Sequence, residues 1–323
     1  MKNQTIDVFN GDADGICALH QFRMACPQET TLITGVKRNI NLLAKVADCR
    51  DCELTVFDIS LDTNRTALET ILTPGSGNRA LYFDHHYCGE PPISTELSTH
   101  INPDPEICTS LIVDQFLEGR YRDWAVVGAF GDNLHSSAKE AAADLRLSST
   151  DLDLLRELGE LLNYNGYGKT VEDLYFHPAA LYTALKPYLH PLDFMADSEL
   201  LQQLRRGFHD DMEKAREAAP FEKGPSGRIY RLPDASWSRR VAGVFMNEQA
   251  RDQKDQAHAL LVDNGDGTWL VSLRAPINRR TGADDLCRRF PTGGGRPAAA
   301  GINRLPAELT DDFVGAFKEI FLP

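Results

Sequence analysis

Short apolar runs that end in an acid or an imidazole recur through the first part of the chain. Residues 5–10 are apolar and β-rich and stop at Asn10-Gly11-Asp12-Ala13-Asp14-Gly15. Leu54–Ile59 carries Asp58 near its end, and Arg79–Phe83 runs into Asp84-His85-His86. A shorter run, Thr30–Gly35, precedes Lys37-Arg38. Each run has the length and residue types of a buried strand. The intervening stretches change period. Ile16, Leu19 and Phe22 follow Gly15 at helical spacing, and helices are expected over Asn41–Asp48 and Asp62–Leu72. The latter stops at the turn signal Pro74-Gly75-Ser76-Gly77. Strands alternating with helices predict a mostly parallel sheet, whose strand carboxyl ends lie along one edge. Asp12, Asp14, Asp58, Asp84, His85 and His86 then share that edge. A single strand-end acid is an ordinary helix cap; a series of them with a paired histidine points to a site. Lys37-Arg38 would sit on the same edge, but a solvated loop is the plainer expectation.

The pattern then turns helical. After Pro91-Pro92 a loop leads to Thr109 or Ser110, either of which can cap a helix ending near Phe116. Asp123–Phe130 is apolar and ends at Gly131-Asp132-Asn133, which adds one more carboxylate. Residues 139–162 read as helices with a leucine stripe, Asn163–Gly168 as a loop, His177–Leu189 as a helix. A long charged amphipathic helix over Asp197–Ala219 leads to Pro220 and Lys223-Gly224-Pro225-Ser226-Gly227, a boundary signal. Beyond it Arg228–Leu232, Arg240–Phe245, Ala257–Val262 and Trp269–Leu273 read as strands. Asp263–Gly267 is a hairpin turn, Asp284–Phe290 a short helix, Gly293–Gly301 a glycine-rich loop, and Leu309–Phe321 a closing helix. The expected organisation is a metal-binding α/β domain over 1–195, a linker helix over 196–226, and a smaller α+β substrate-binding domain over 227–323.

Composition narrows the function. The 323 residues are 42% hydrophobic and carry a net charge of −13, which argues against a grip on long nucleic acid through many phosphates. No apolar run reaches a membrane span and the start lacks a signal-peptide core, so a cytoplasmic protein with no membrane contact is expected. Seven scattered cysteines do not form a disulfide framework, and the lone Cys49-Arg50-Asp51-Cys52 reads as surface thiols before a strand. Loops starting at Asp12 or Asp263 fail as calcium-binding EF-hands, since Arg23 and Arg274 stand at their twelfth positions. Acids with imidazoles suit hard to borderline ions, Mn²⁺ first and Mg²⁺ second. Two such ions can clamp the attacking and leaving oxygens of a phosphoryl group around a metal-borne hydroxide. Between Arg274 and Arg304 the charge reverses: seven arginines stand against two aspartates, a local balance of +5. Arginine forks and close backbone approach at Gly293, Gly294 and Gly295 suit a bound phosphate.

At these residues the sequence resembles the DHH phosphoesterases that carry a C-terminal DHHA1 domain, a family of RecJ-type exonucleases, nanoRNases and dinucleotide phosphodiesterases. Gly11–Gly15, Asp58, Asp84-His85-His86 and Gly131-Asp132-Asn133 look like its four motifs. Val271–Arg274 and Gly293–Gly301 look like its substrate-binding motifs. The resemblance implies that Asp12 binds one ion and Asp14 the other, that Asp58 bridges, and that His85 and Asp132 complete the second ion. It implies that Asp84 orients an imidazole, that His86 meets the scissile phosphate, and that Arg274 and the glycines hold the far nucleotide. Two positions depart from the pattern. Val8 and Asn10 stand where the family offers a histidine or an acid, and Asn10 can give only a neutral oxygen. Arg296 stands where the family has a histidine. The expected activity is metal-dependent hydrolysis of short linear oligonucleotides or dinucleotides to mononucleotides. Cyclic dinucleotides, nucleoside bisphosphates and polyphosphate are alternative substrates, and a weakened regulatory nucleotide-binding module is an alternative role. Oligomeric state, a homodimer included, is left open.

Overall fold

The structure is a computed structural model and describes residues 4–322. The described residues divide into two compact units, with the division after Arg205.

The first unit is built on five parallel strands. In chain order they are β1 (Gln4–Phe9), followed by α1 (Ala13–Ala25); β2 (Thr31–Ile33); β3 (Cys52–Phe57), followed by α2 (Leu61–Ile71); β4 (Arg79–Asp84); and β5 (Leu97–Ile101). The order across the sheet is β2-β1-β3-β4-β5, with every pairing parallel. β1 and β3 pair in register from Gln4↔Cys52 to Phe9↔Phe57, and Phe57 faces Phe83 in the next strand, so the three strands end level. Val8, Phe9, Val56, Phe57, Tyr82 and Phe83 are fully buried, as strands covered on both faces require. Beneath them Arg23 of α1 forks onto Asp7 of β1 at 2.8 and 2.5 Å, with both side chains out of solvent.

Helices complete this unit: α3 (Thr109–Phe116), α4 (Arg122–Gly131), α5 (His135–Ala142), α6 (Ser149–Asn165), α7 (Pro178–Leu185) and α8 (Pro191–Asp197). α6 starts with a full capping box between Ser148 and Asp151. α4 crosses close to its neighbours because it carries small residues. A Cβ on Gly131 would come within 2.2 Å of the Ala13 side chain, and one on Gly128 within 2.2 Å of Ser110 Oγ. α9 (Glu199–Arg216) follows, and the division between the units falls within it.

The second unit holds β6 (Glu222–Gly224), β7 (Gly227–Leu232), α10 (Ser236–Asp252), β8 (Ala257–Asp263), β9 (Thr268–Arg274), α11 (Ala283–Cys287), β10 (Gly293–Arg296), β11 (Ala299–Pro306) and α12 (Thr310–Ile320). Its six-stranded sheet has the order β10-β11-β9-β8-β7-β6, antiparallel except for β7 with β8. One face packs Ile229, Leu261, Val271, Leu273 and Ile302 against Leu286, Phe313 and Phe317.

Several sequence expectations are corrected. Arg240–Phe245 is not a strand: it lies inside α10, whose buried positions Ser238, Val241, Ala242, Phe245, Met246 and Ala250 have helical spacing. A parallel pair needs a crossover, and α10 provides it between β7 and β8. Gly224-Pro225-Ser226-Gly227 is the turn of a β6–β7 hairpin rather than a linker, and Gly293–Gly301 is a hairpin rather than a loop. The stretch after Pro92 supplies the fifth strand, β5. The helix expected over Asn41–Asp48 is a single 3-10 turn at Leu43–Val46. α6 runs on to Asn165, into what reads as a loop. Cys52 is buried at the start of β3, not a surface thiol.

Candidate active site

Three of the four motifs meet at the carboxyl edge of the parallel sheet because β1, β3 and β4 end level there, and the fourth arrives on the end of helix α4. Asp12 caps α1, taking the Gly15 N–H on Oδ1 at 3.1 Å. A Cβ on Gly15 would sit 2.3 Å from the Asn10 carbonyl, so that tight turn admits only glycine. Asp14, in the first turn of α1, is held by the first amides of α3: Thr109 N–H donates to Oδ2 at 2.8 Å and Ser110 N–H to Oδ1 at 2.7 Å. Thr109 and Ser110 were expected to cap this helix, but Cys108 occupies the cap position without a side-chain bond. The carboxylate of Asp14 takes that place from another element, where a helix N-terminus favours negative charge. The Ser110 hydroxyl donates to the Asp14 carbonyl at 2.8 Å.

Asp58 follows β3 in the left-handed region, with φ +58°, a strained position for a non-glycine. Its N–H bonds the Phe83 carbonyl at 3.0 Å, and the Thr109 hydroxyl donates to Oδ1 at 3.0 Å. His85 Nδ1 lies 3.0 Å from the Ile107 carbonyl. A carbonyl only accepts, so Nδ1 carries a proton and Nε2 is the ring atom turned toward the acids. Nε2 stands 3.4 Å from Asp58 Oδ1 and 3.8 Å from Asp132 Oδ2. Asp132 comes from the end of α4. His86 Nδ1 is 2.6 Å from Asp84 Oδ1, and the other Asp84 oxygen takes the Leu61 N–H at 3.3 Å. At this edge two groups of described residues offer ligand atoms within 4.8 Å of one another: Asp14, His85 and Asp132, and Asp58, His85 and His86.

Electrostatics show a cluster short of positive charge. Burial, then the charges of Asp14 and Asp12, push the Asp58 carboxyl well above its ordinary value. Burial opposes charge on His85, yet the Asp58 hydrogen bond and charge outweigh it and raise the imidazole to about 10. Burial also raises Asp132 against the pull of Lys37.

Lys37 is the main residue that the sequence reading placed wrongly. It is not in a solvated loop. Its Nζ lies 2.5 Å from Asp12 Oδ2, 3.2 Å from Asp132 Oδ1 and 3.1 Å from Asn163 Oδ1. Burial works against the ammonium, but Asp12, Tyr167 and Asp132 raise its pKa well above the usual lysine value. Asp12 falls below its ordinary value because Lys37 and the Gly15 N–H outweigh its burial. Asn163 and Thr109 were likewise missed; neither carries a local signal of its role. Asn10 is buried beside this group, with Oδ1 unpartnered and Nδ2 donating to the Lys37 carbonyl at 3.4 Å.

In the second unit, Arg274 ends β9 and donates from Nε to Asn247 Oδ1 at 2.7 Å and from Nη1 to Ser272 Oγ at 3.3 Å. Arg296 is exposed on β10 and pairs in register with Ala299. Gly295 has φ +139°, which a side chain resists, and a Cβ there would meet Ala300 at 2.5 Å. β10 is an edge strand, so the amides of Gly293–Arg296 that face away from β11 are not used by the sheet. Three of the seven arginines are paired with acids: Arg288 with Asp284, Arg289 with Glu319 and Arg304 with Asp266.

No family model matches the sequence, and no curated protein matches it. Solved structures do match its fold. A DHH-domain protein described as a member of the s1p family of ribosomal proteins superposes with a TM-score of 0.64 at 12% identity, over 98% of this chain and 86% of its own. RecJ from Thermus thermophilus, in complex with Mn²⁺, gives 0.61 at 18% identity over 98% of this chain; the match spans 52% of RecJ, about half its length. The pGpG-specific phosphodiesterase PggH from Vibrio cholerae gives 0.54 at 13% identity, over 98% of this chain and 99% of its own. The chain therefore has the α/β fold of the DHH-domain proteins, a five-stranded parallel sheet flanked by helices and joined to a second, mixed-sheet unit.

Proposed function

We propose that the protein is a divalent-metal-dependent phosphodiesterase that cuts short linear oligonucleotides, dinucleotides included, to mononucleotides. The observation that carries this reading is the gathering of Asp14, Asp58 and Asp132 around Nε2 of His85, in two groups of ligand atoms that share this imidazole, at the carboxyl edge of the sheet. The donor set fits a hard to borderline ion, Mn²⁺ before Mg²⁺. The surplus of buried carboxylate, visible in the raised Asp58, is what a cation there would relieve. RecJ bound to Mn²⁺ and the pGpG-specific enzyme share the fold and support the same chemistry.

When bound, the ion supplies Lewis-acid polarisation of a phosphoryl oxygen. The chain's residues do the rest. Asp14 is held rigid by two amides and Asp58 by the Thr109 hydroxyl, which fixes where charge can be received. We assign His86 to the scissile phosphate: its ring is set by Asp84 through Nδ1, which leaves Nε2 to meet or protonate a leaving oxygen. We assign substrate contact to Arg274, Gly293, Gly294, Gly295 and Arg296 of the second unit, whose forks and outer-edge amides suit phosphate oxygens. The overall charge of −13 favours a short ligand over a long strand.

The test is hydrolysis of linear two- to ten-residue nucleotides with Mn²⁺, resolved by product, beside cyclic dinucleotides, a nucleoside bisphosphate and polyphosphate. Mononucleotides from the shortest linear substrates are expected, with loss of turnover in His85→Ala. Equal cleavage of long single strands that falls steeply with salt would overturn the preference for short ones. Binding without hydrolysis would make the protein a regulatory module.

A further inference from the structure

We propose that Lys37 takes the place of a second divalent ion, so that the holoprotein carries one ion per chain, on Asp14, Asp58, His85 and Asp132, and uses the lysine ammonium as the other cation of the site. This rests on the metal-dependent reading above and revises the expectation of two ions.

The argument is geometric. Asp12 belongs to neither group of converging ligand atoms at the sheet edge. Its Oδ1 takes the Gly15 amide and its Oδ2 the Lys37 ammonium, and its carboxylate also lies within hydrogen-bond reach of Asp58. The three oxygens around Nζ, from Asp12, Asp132 and Asn163, are the hard donors that a manganese or magnesium ion would otherwise collect. Lys37 is placed there by more than its head group. Its backbone N–H bonds the Gly166 carbonyl at 2.8 Å, its carbonyl takes the Asn10 amide, and its ammonium lies 5.8 Å from the centre of the Tyr167 ring. Gly166 is itself packed against Asp12, since a Cβ there would come within 3.0 Å of the aspartate side chain. The lysine and its counter-ion thus come from one packed assembly, not from a free loop.

Charge points the same way. Asp12, Asp14, Asp58 and Asp132 bring four carboxylates to one place. One dication and one ammonium leave a net charge of about −1 there, and a second dication would have to sit against the ammonium already held between Asp12 and Asp132, where like charges repel at close range. Asn10 completes the picture: a neutral amide stands beside a cation that needs no further anionic ligand, and its amide group holds Lys37 in place.

The test counts ions in the whole protein. Because the exposed group His209, Asp210 and Glu213 also offers ligand atoms, the count is made in a His209→Ala background. Mn²⁺ is bound to saturation, free metal is removed by gel filtration, and bound manganese is measured together with its electron paramagnetic resonance spectrum. One ion per chain with an uncoupled six-line signal is expected for the protein with Lys37. Lys37→Ala is expected to gain a second ion and an exchange-coupled pair. A coupled pair with Lys37 present overturns the inference and leaves the phosphodiesterase reading standing, as does a Lys37→Ala protein that still takes one ion. No bound manganese in either overturns both. Should Lys37→Ala fail to fold, the count with Lys37 present decides alone.

Discussion

In the first unit, five parallel strands end level, and the residues that follow them converge on one edge where almost every polar atom has a partner. In the second unit, the sheet is mixed, and the arginines Arg274, Arg288, Arg289 and Arg304 are engaged one at a time, each by a nearby acid or amide. Asp14 is fixed by two backbone amides and Asp58 by a hydroxyl, whereas Arg288, Arg289 and Arg304 sit on exposed ion pairs. A parallel sheet gathers chemistry by topology; a mixed sheet leaves it distributed. A run of charge in sequence is therefore a poor guide to a binding site in the second unit. A series of strand-end acids is a good guide in the first.

The comparison can be broken most severely through the ion pairs that pin each unit. Asp7 with Arg23 in the first, and Asp211 with Arg240 in the second, join a buried aspartate to a nearly buried guanidinium. Removing one partner strands the other, so Asp7→Ala and Asp211→Ala should each cost roughly 3–5 kcal/mol. Urea unfolding measures this, and a loss near zero in one unit would show that it tolerates an unpaired guanidinium.

Acid pH should act next. Burial lowers His20 to about 4, despite its bond to the Tyr188 carbonyl at 3.0 Å. Its folded value lies below the unfolded value of about 6.5, so the unfolded chain binds the extra proton between the two. Stability is complete above about pH 6.5 and falls as pH drops toward 4, by about 3 kcal/mol from this group. Unfolding curves across that range should show the loss in the wild type and lack it in His20→Gln. Burial lowers His258 of the second unit in the same direction.

Thr109→Val tests how far the first unit's site depends on its supporting hydroxyl. The amide bonds to Asp14 persist while the bond to Asp58 is lost, and Mn²⁺ affinity should fall about 10- to 100-fold with little change in stability. Isothermal titration reads the affinity, and an unchanged value would show that Asp58 holds its strained position unaided. The smallest effect is expected at Arg296→Ala. Its side chain is exposed, so KM should rise roughly fivefold, the worth of a screened ion pair, with kcat preserved. A fall in kcat at constant KM would move Arg296 from substrate binding into the chemical step.

Asp12, Asp14, Asp58, Asp84, His85, His86 and Asp132 were legible because each follows an apolar run of strand or helix length, a pattern that survives in one dimension. Lys37, Thr109 and Asn163 were not, since their roles are defined by partners from far along the chain. Lys37 had a faint signal, its place after the second strand. α10 misled because its short apolar stretch Val241–Phe245 fits either period, and only the parallel pairing of β7 with β8 requires a crossover there. β5 was missed because none of its residues is fully buried, so it carries no continuous apolar run.

The sequence by itself determined that carboxylates and imidazoles would line one sheet edge, because side-chain burial imposes its period on the chain and parallel strands share a direction. What surrounds each carboxylate was decided by tertiary structure alone. Helix α3 delivers its amides to Asp14, α6 delivers Asn163, and the segment after β2 carries an ammonium into the carboxylates. Such contacts depend on how whole elements pack, and packing brings together residues whose separation in sequence holds no trace of it.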